Sequence, residues 1–129
     1  GEHGRVVDSA KTEHSKRVIP LCKQLIKILR KMEKENDSEY VISSKGKPVT
    51  TRSYQRSFEN LQKKLHISHR GFHALRHTFA TRALECGMDV KTLSEIMGHK
   101  NSTVTLNRYA HSLTEHKKEM INKLGRNLE

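Results

Sequence analysis

Tryptophan is absent from this 129-residue chain, and phenylalanine and tyrosine occur three times each, so aromatic residues make up only 5%. A core built here must come from Leu, Ile, Val and a few Phe, and at this length it is one modest core of one domain. Cysteine is nearly absent too. Cys22 and Cys86 cannot make a disulfide framework. One falls in an apolar run and the other at a helix end, so both read as small buried groups of a reducing cytosol. No apolar run approaches the ~20 residues of a membrane span, and no signal-peptide pattern opens the chain. A cytoplasmic protein off the membrane is therefore expected. Acidic residues are the scarcest charge, 14 against 25 Lys and Arg, which leaves +11 at neutral pH with nine His uncounted. That excess points to a polyanionic partner, nucleic acid before anionic membrane. The alternative is a merely soluble basic protein.

In chain order, Arg5–Asp8 and Arg17–Leu21 are strand candidates separated by a polar turn, a front hairpin whose loop carries Lys11. Pro20 confines the second strand to an edge. Read alone, Lys11 is solvated surface. Leu21, Leu25, Ile28, Leu29 and Met32 recur at helical spacing, and Asn36-Asp37-Ser38 should break that helix. Tyr40–Ile42 is a short strand or extended stretch closed by Lys45-Gly46-Lys47-Pro48. Thr50 or Thr51 can cap a second helix with Tyr54, Phe58, Leu61 and Leu65 on one face. Arg52 and Arg56 on its first turns can grip a phosphate, although solvated cations would look the same. Leu75, Phe79 and Ala83 form the expected seam of a third helix, stopped at Gly87. Asp89 caps a short helix ending at Gly98, Ser102 can cap another to about Tyr109, and an amphipathic tail runs from Leu113. No internal repeat or low-complexity segment interrupts this mostly helical pattern.

The stretch Phe72–Arg82 concentrates two imidazoles and two guanidinium groups, and three chemistries compete for it. His73 and His77, four apart, could share a zinc with His69 or His99, but the position after His73 is Ala74 where a metalloprotease needs its Glu. A helix-turn-helix DNA reader could span Ala74–Gly98, but its would-be reading helix offers mostly apolar residues and a single cation, Lys91. Phosphoryl transfer needs a nucleophile, cations for the charge on the equatorial oxygens and an acid for the leaving group. Arg76 can fork onto one phosphate, and His73 lies on the same helix face. His99 follows a Gly-terminated helix, and Tyr109 comes ten residues later. Nearby cations would favour the phenolate of a group that ordinarily titrates near 10.

His73-Ala74-Leu75-Arg76-His77, Met97-Gly98-His99 and Tyr109-Ala110-His111 closely resemble the three C-terminal catalytic boxes of the tyrosine recombinases, the phage-integrase family. Met97 stands where the family usually has Leu, and the spacing from His99 to Tyr109 is similar to that in integrases of conjugative transposons. Ala10-Lys11-Thr12 followed by Arg17–Leu21 resembles the family's β-hairpin with its catalytic lysine, which moves Lys11 from surface to site. The resemblance covers nearly the whole chain. It implies a mainly α catalytic-domain fold with a small β-hairpin, divided here into a hairpin at about 5–21, a helical core at about 22–111 and a tail helix at about 112–128.

The resemblance also implies site-specific DNA recombination or integration by strand breakage and rejoining, without metal, ATP or other cofactor. Tyr109 would attack a phosphodiester to leave a 3′-phosphotyrosyl link. Arg76 and His99 would hold the phosphate oxygens, His73 would move the tyrosine's proton, and Lys11 would protonate the leaving 5′-oxygen. Arg52, Arg56 and Lys100 would contact the double-stranded DNA. The tail helix would dock in cis or on a neighbouring protomer, as in a recombinase tetramer. A type IB topoisomerase shares the chemistry but fits the Gly98-His99 box less well. The family's first catalytic arginine, on a helix upstream of the hairpin, has no counterpart before Lys11. The chain is thus expected to be a C-terminal fragment of a bacterial or phage mobile-element protein, inactive or nearly so alone.

Overall fold

A computed structural model describes residues 16–129. They form six helices and one two-stranded antiparallel sheet, a mainly α fold. Two compact units divide them: Pro20–Arg76, and His77–Glu129 together with residues 16–19. The candidate front hairpin lies mostly outside the described residues, Lys11 included, and residues 17–21 form no strand.

In the unit Pro20–Arg76, α1 spans Lys23–Glu35. Its expected break at Asn36 has a local cause. The Asn36 amide accepts from the Ser38 backbone N–H and the Ser43 hydroxyl, both at 3.0 Å, and donates to the Tyr40 carbonyl at 3.0 Å. An Asn side chain that bonds its own following backbone holds a turn against helix continuation. No residue of α1 is buried; its inner residues Ile26, Leu29 and Met32 line a cleft of about 420 Å³ with Tyr40 and Val41.

The sheet lies just beyond, where Ser43–Ser44 (β1) pairs with Lys47–Pro48 (β2) in the register Ser43↔Pro48 and Ser44↔Lys47. Lys45 and Gly46 both take positive φ, 52° and 75°, the two left-handed residues a tight hairpin turn demands. Helix α2, Thr51–Lys64, starts at Thr50, whose hydroxyl accepts from Ser53 N–H at 2.9 Å.

Helix α3, Phe72–Glu85, begins in this unit and continues past Arg76 into the other. There Ala80, Ala83 and Leu84 join Leu93, Met97 and Tyr109 in the buried core, with Met88, Val90 and Leu113 packed on it. The expected seam is therefore corrected. Leu75 and Phe79 stand about half exposed, because at 100° per residue they fall beside the arc that holds Ala80, Ala83 and Leu84. Cys22 and Cys86, read as buried, are both exposed free thiols; each flanks a helix end, where solvent reaches it.

Gly87 (φ 95°) stops α3, with Met88 N–H returning to the Ala83 carbonyl at 2.9 Å. Asp89 caps α4, Val90–Met97, and Gly98 (φ 71°) closes it. Helix α5, Ser102–Arg108, is capped by Asn101 rather than Ser102. The Asn101 side chain reaches Val104 N–H at 3.3 Å, one residue earlier than the expected cap. Helix α6 covers Ala110–Asn127 and begins directly after Tyr109, ahead of Leu113. No residue of α6 is buried, and Ile121, Leu124 and Leu128 are exposed. Among the described residues no helix is long and apolar enough to cross a membrane.

Candidate active site

The opening turn of α3 carries two of the expected site residues. His73 is exposed and Arg76 half-buried there, within the unit Pro20–Arg76. Two devices of that unit pin the turn to α2. Phe72 stacks on Tyr54 and Phe58, with ring centroids 5.2 and 4.8 Å apart. Gln62, 5% exposed, clamps the backbone of Arg70 from both sides. Its oxygen accepts from Arg70 N–H at 2.7 Å and its nitrogen donates to the Arg70 carbonyl at 3.0 Å and to the Phe58 carbonyl at 3.3 Å. The two-residue backbone entry into α3 is thus fixed by a buried amide whose polar atoms are all engaged.

The other unit assembles His77, His99, Thr105 and Tyr109. Tyr109 ends α5 and starts α6, with its N–H on the Thr105 carbonyl and its own carbonyl accepting from Leu113 N–H, both at 3.0 Å. Its side chain is 3% exposed, and its ring lies 5.2 Å from that of His77 at 31°. The imidazole of His77 is thus the aromatic neighbour of the tyrosine. His99 follows Gly98 and is half-buried, with Nδ1 2.6 Å from the fully buried Thr105 hydroxyl. A threonine that donates to Nδ1 leaves Nε2–H as a hydrogen-bond donor, the form suited to an anionic oxygen.

Beside His99 a cleft of about 420 Å³ opens between residues 16–17, α4 and the turn 98–102. Among the described residues, His99 itself lines it together with Lys16, Arg17, Lys91, Lys100 and the Glu95 carboxylate. The Arg17 side chain is anchored by its Nε, which donates to the Ile96 carbonyl at 2.7 Å. Of the expected DNA contacts, Lys100 falls in this cleft, while Arg52 and Arg56 are exposed on the first two turns of α2. Arg82 makes a surface ion pair with Glu85 at 3.1 Å.

Gln62, Thr105, Lys16, Arg17 and Lys91 escaped the sequence reading. Lys91 alone left a signal, as the single cation of an otherwise apolar helix. That helix buries Leu93, Ser94 and Met97, so it is occupied by packing and not free to enter a groove. Among the described residues no group of three His, Cys, Asp or Glu could hold a metal ion. The Thr92 hydroxyl, then the Thr92 N–H, hold the Asp89 carboxyl below its ordinary value.

A sequence profile described as the phage integrase family matches residues 2–116. A tyrosine recombinase XerC-like protein of Caldanaerobacter subterraneus subsp. tengcongensis is 31% identical over 131 residues, 89% of this chain and 34% of its own length. The transposase from transposon Tn916 of Enterococcus faecalis is 30% identical over 128 residues, 86% of this chain and 32% of its own length. Among solved structures, the Tn1549 transposon integrase in complex with transposon right end DNA superposes with a TM-score of 0.72 at 31% identity, covering 92% of this chain and 43% of that one. The chain spans about a third of the length of these curated relatives.

Proposed function

This chain belongs to the phage integrase family, and on that premise we propose that it is the C-terminal part of a catalytic domain for site-specific DNA recombination. Tyr109 is the nucleophile. Its oxygen attacks a backbone phosphorus, the bond to the 5′-oxygen breaks, and a 3′-phosphotyrosyl link and a 5′-hydroxyl result. The tyrosine proton passes to His73 and the leaving oxygen takes one from Lys11. Arg76 and His99 neutralise and hydrogen-bond the non-bridging oxygens as charge builds on them. A partner strand's 5′-hydroxyl reverses the step, so the phosphodiester energy is conserved and no cofactor is called for.

One observation carries this reading. Tyr109 follows the Gly98-His99 turn by a single short helix, and its ring lies against His77, the residue next to Arg76 in sequence. Double-stranded DNA is the partner, met by Arg52, Arg56 and Lys100, and the compartment is the cytoplasm. The exposed Ile121 and Leu124 of α6, with Leu128 just after its end, support docking of that helix on a neighbouring subunit in a tetramer, since large apolar side chains are costly to leave in water.

Arg5, the one arginine before Lys11, lacks the sequence surroundings of the family's first catalytic arginine. Losing one such cation typically removes ~3 kcal/mol of transition-state stabilisation. We therefore expect the 129-residue chain by itself to cleave a nicked suicide duplex at a small fraction of the full-length rate. Covalent protein–DNA adducts should form with full-length protein and vanish in Tyr109→Phe while non-covalent binding persists. Adducts that survive Tyr109→Phe would remove Tyr109 from the mechanism.

A further inference from the structure

Tyr109 shares its buried core with Ala80, Ala83, Leu84, Leu93 and Met97, none of which has a flat face. Aliphatic packing of that kind excludes water but is non-directional, so it leaves the plane of an aromatic ring loosely defined. The backbone of Tyr109 is firmly held by contrast, bonded through its N–H to Thr105 and through its carbonyl to Leu113. Orienting the ring falls to its aromatic neighbour in the same unit, His77. The two ring centroids lie 5.2 Å apart at a tilt of 31°, inside the range in which paired rings attract one another. On α3, His77, Ala80 and Leu84 stand at i, i+3 and i+7, so the imidazole heads an arc whose next two members are buried. His77 itself is exposed. An arc that merely needed to cover Tyr109 would be served as well by an aliphatic residue there.

We propose that His77 is a positioning residue for the nucleophile: its imidazole sets the plane of the Tyr109 ring, and with it the direction in which the phenol oxygen points. This rests on the recombinase function proposed above, in which His73 and not His77 takes the tyrosine proton. His77 acts through its flat face and carries no proton in the reaction. A ring only 3% exposed has few ways to present its oxygen to a phosphorus, and a misplacement of ~1 Å can cost about a hundredfold in rate. The residue that aims the nucleophile is thereby one peptide bond from Arg76, the arginine proposed to hold the phosphate.

The test is the single-turnover rate of covalent adduct formation by full-length protein on a nicked suicide duplex, read at saturating protein. His77→Leu keeps bulk and loses the flat face, and should slow that rate by roughly tenfold, whereas His77→Phe restores the face and should recover it to within about twofold. The position is exposed, so neither change strands a buried group. Because the imidazole acts by its shape, the pH profile of the rate should keep its form in His77→Phe. A rate unchanged in His77→Leu overturns the proposal, since leucine meets a demand for packing alone. So does a His77→Phe variant as slow as His77→Leu, or a pH profile that changes form in His77→Phe. A change confined to the protein concentration at half-saturation also overturns it, by making His77 a DNA contact. If these variants fail the proposal while Tyr109-dependent adducts still form, only the positioning role falls. Wild-type protein that forms no adduct, or adducts that survive Tyr109→Phe, would instead sink the proposed function.

Discussion

Replacing Gln62 by Leu should loosen the entry to α3 by an amount that can be worked from its hydrogen bonds. The amide engages the N–H and the carbonyl of Arg70 at 2.7 and 3.0 Å, and leucine satisfies neither. Each backbone group stranded away from water costs roughly 1–3 kcal/mol. Arg70 as a residue is exposed, so water recovers part of that, and the low end applies to both groups. The expected loss is about 2 kcal/mol, or a drop of roughly 6–12 °C in the thermal midpoint for a chain of this length. Thermal unfolding followed by far-UV circular dichroism reads it.

Gln62→Glu refines the test. Its carboxylate can still accept from Arg70 N–H but faces the carbonyls of Phe58 and Arg70 with no proton to give. That setting raises the folded-state carboxyl above its ordinary value of ~4.3. A carboxyl raised in the folded state has its full share of stability below the unfolded value and loses it as pH rises through the folded one. The Gln62→Glu deficit should therefore be small near pH 4 and grow towards neutrality. A loss under ~0.5 kcal/mol for Gln62→Leu, or a Gln62→Glu deficit independent of pH, would refute the clamp. In full-length protein the Gln62→Leu variant should also form adducts more slowly, because His73 and Arg76 stand on the turn it releases.

Two further outcomes follow from the same geometry. Thr105→Val keeps the volume of a fully buried side chain and removes the partner of His99 Nδ1; adduct formation in full-length protein should fall about tenfold, the equivalent of roughly 1.4 kcal/mol, with DNA affinity little changed. Asp89, held below its usual range by Thr92, stabilises α4 above the ordinary carboxylate value and loses that contribution as pH falls through its depressed one. Asp89→Ala should accordingly flatten the acid limb of a stability–pH profile measured by chemical denaturation.

Local chemistry was the part of this fold that could be read from sequence. Asp89 and Thr50 cap helices because their oxygens reach an N–H three residues on, and Gly87 and Gly98 stop helices because a side chain there resists positive φ. Asn101 and Ser102 are adjacent and equally able to cap, so nothing local separates them. The seam of α3 was misjudged for a different reason. The helix carries Leu75 and Phe79 on one arc and Ala80, Ala83 and Leu84 on the next, and only α4 and Tyr109 decide which arc is buried. The site followed the same division. The candidate residues His73, Arg76, His99 and Tyr109 form a spaced set within the sequence, whereas Gln62 and Thr105 bond partners 8 and 6 residues away across a loop. Arg17 reaches a carbonyl 79 residues along the chain, a contact that no sequence window contains.

The nucleophile itself can be read directly. Full-length protein trapped on a nicked suicide duplex, digested with nuclease and then trypsin, leaves a nucleotide on whichever residue attacked. Trypsin cuts after Arg108 and Lys117, which isolates Tyr109 in the peptide 109–117, apart from Tyr40 and Tyr54, the other two tyrosines of the chain. Mass spectrometry should find the nucleotide adduct on that peptide, linked through the phenol oxygen. An adduct on Tyr40, Tyr54 or a serine, with peptide 109–117 unmodified, would contradict the assignment of Tyr109.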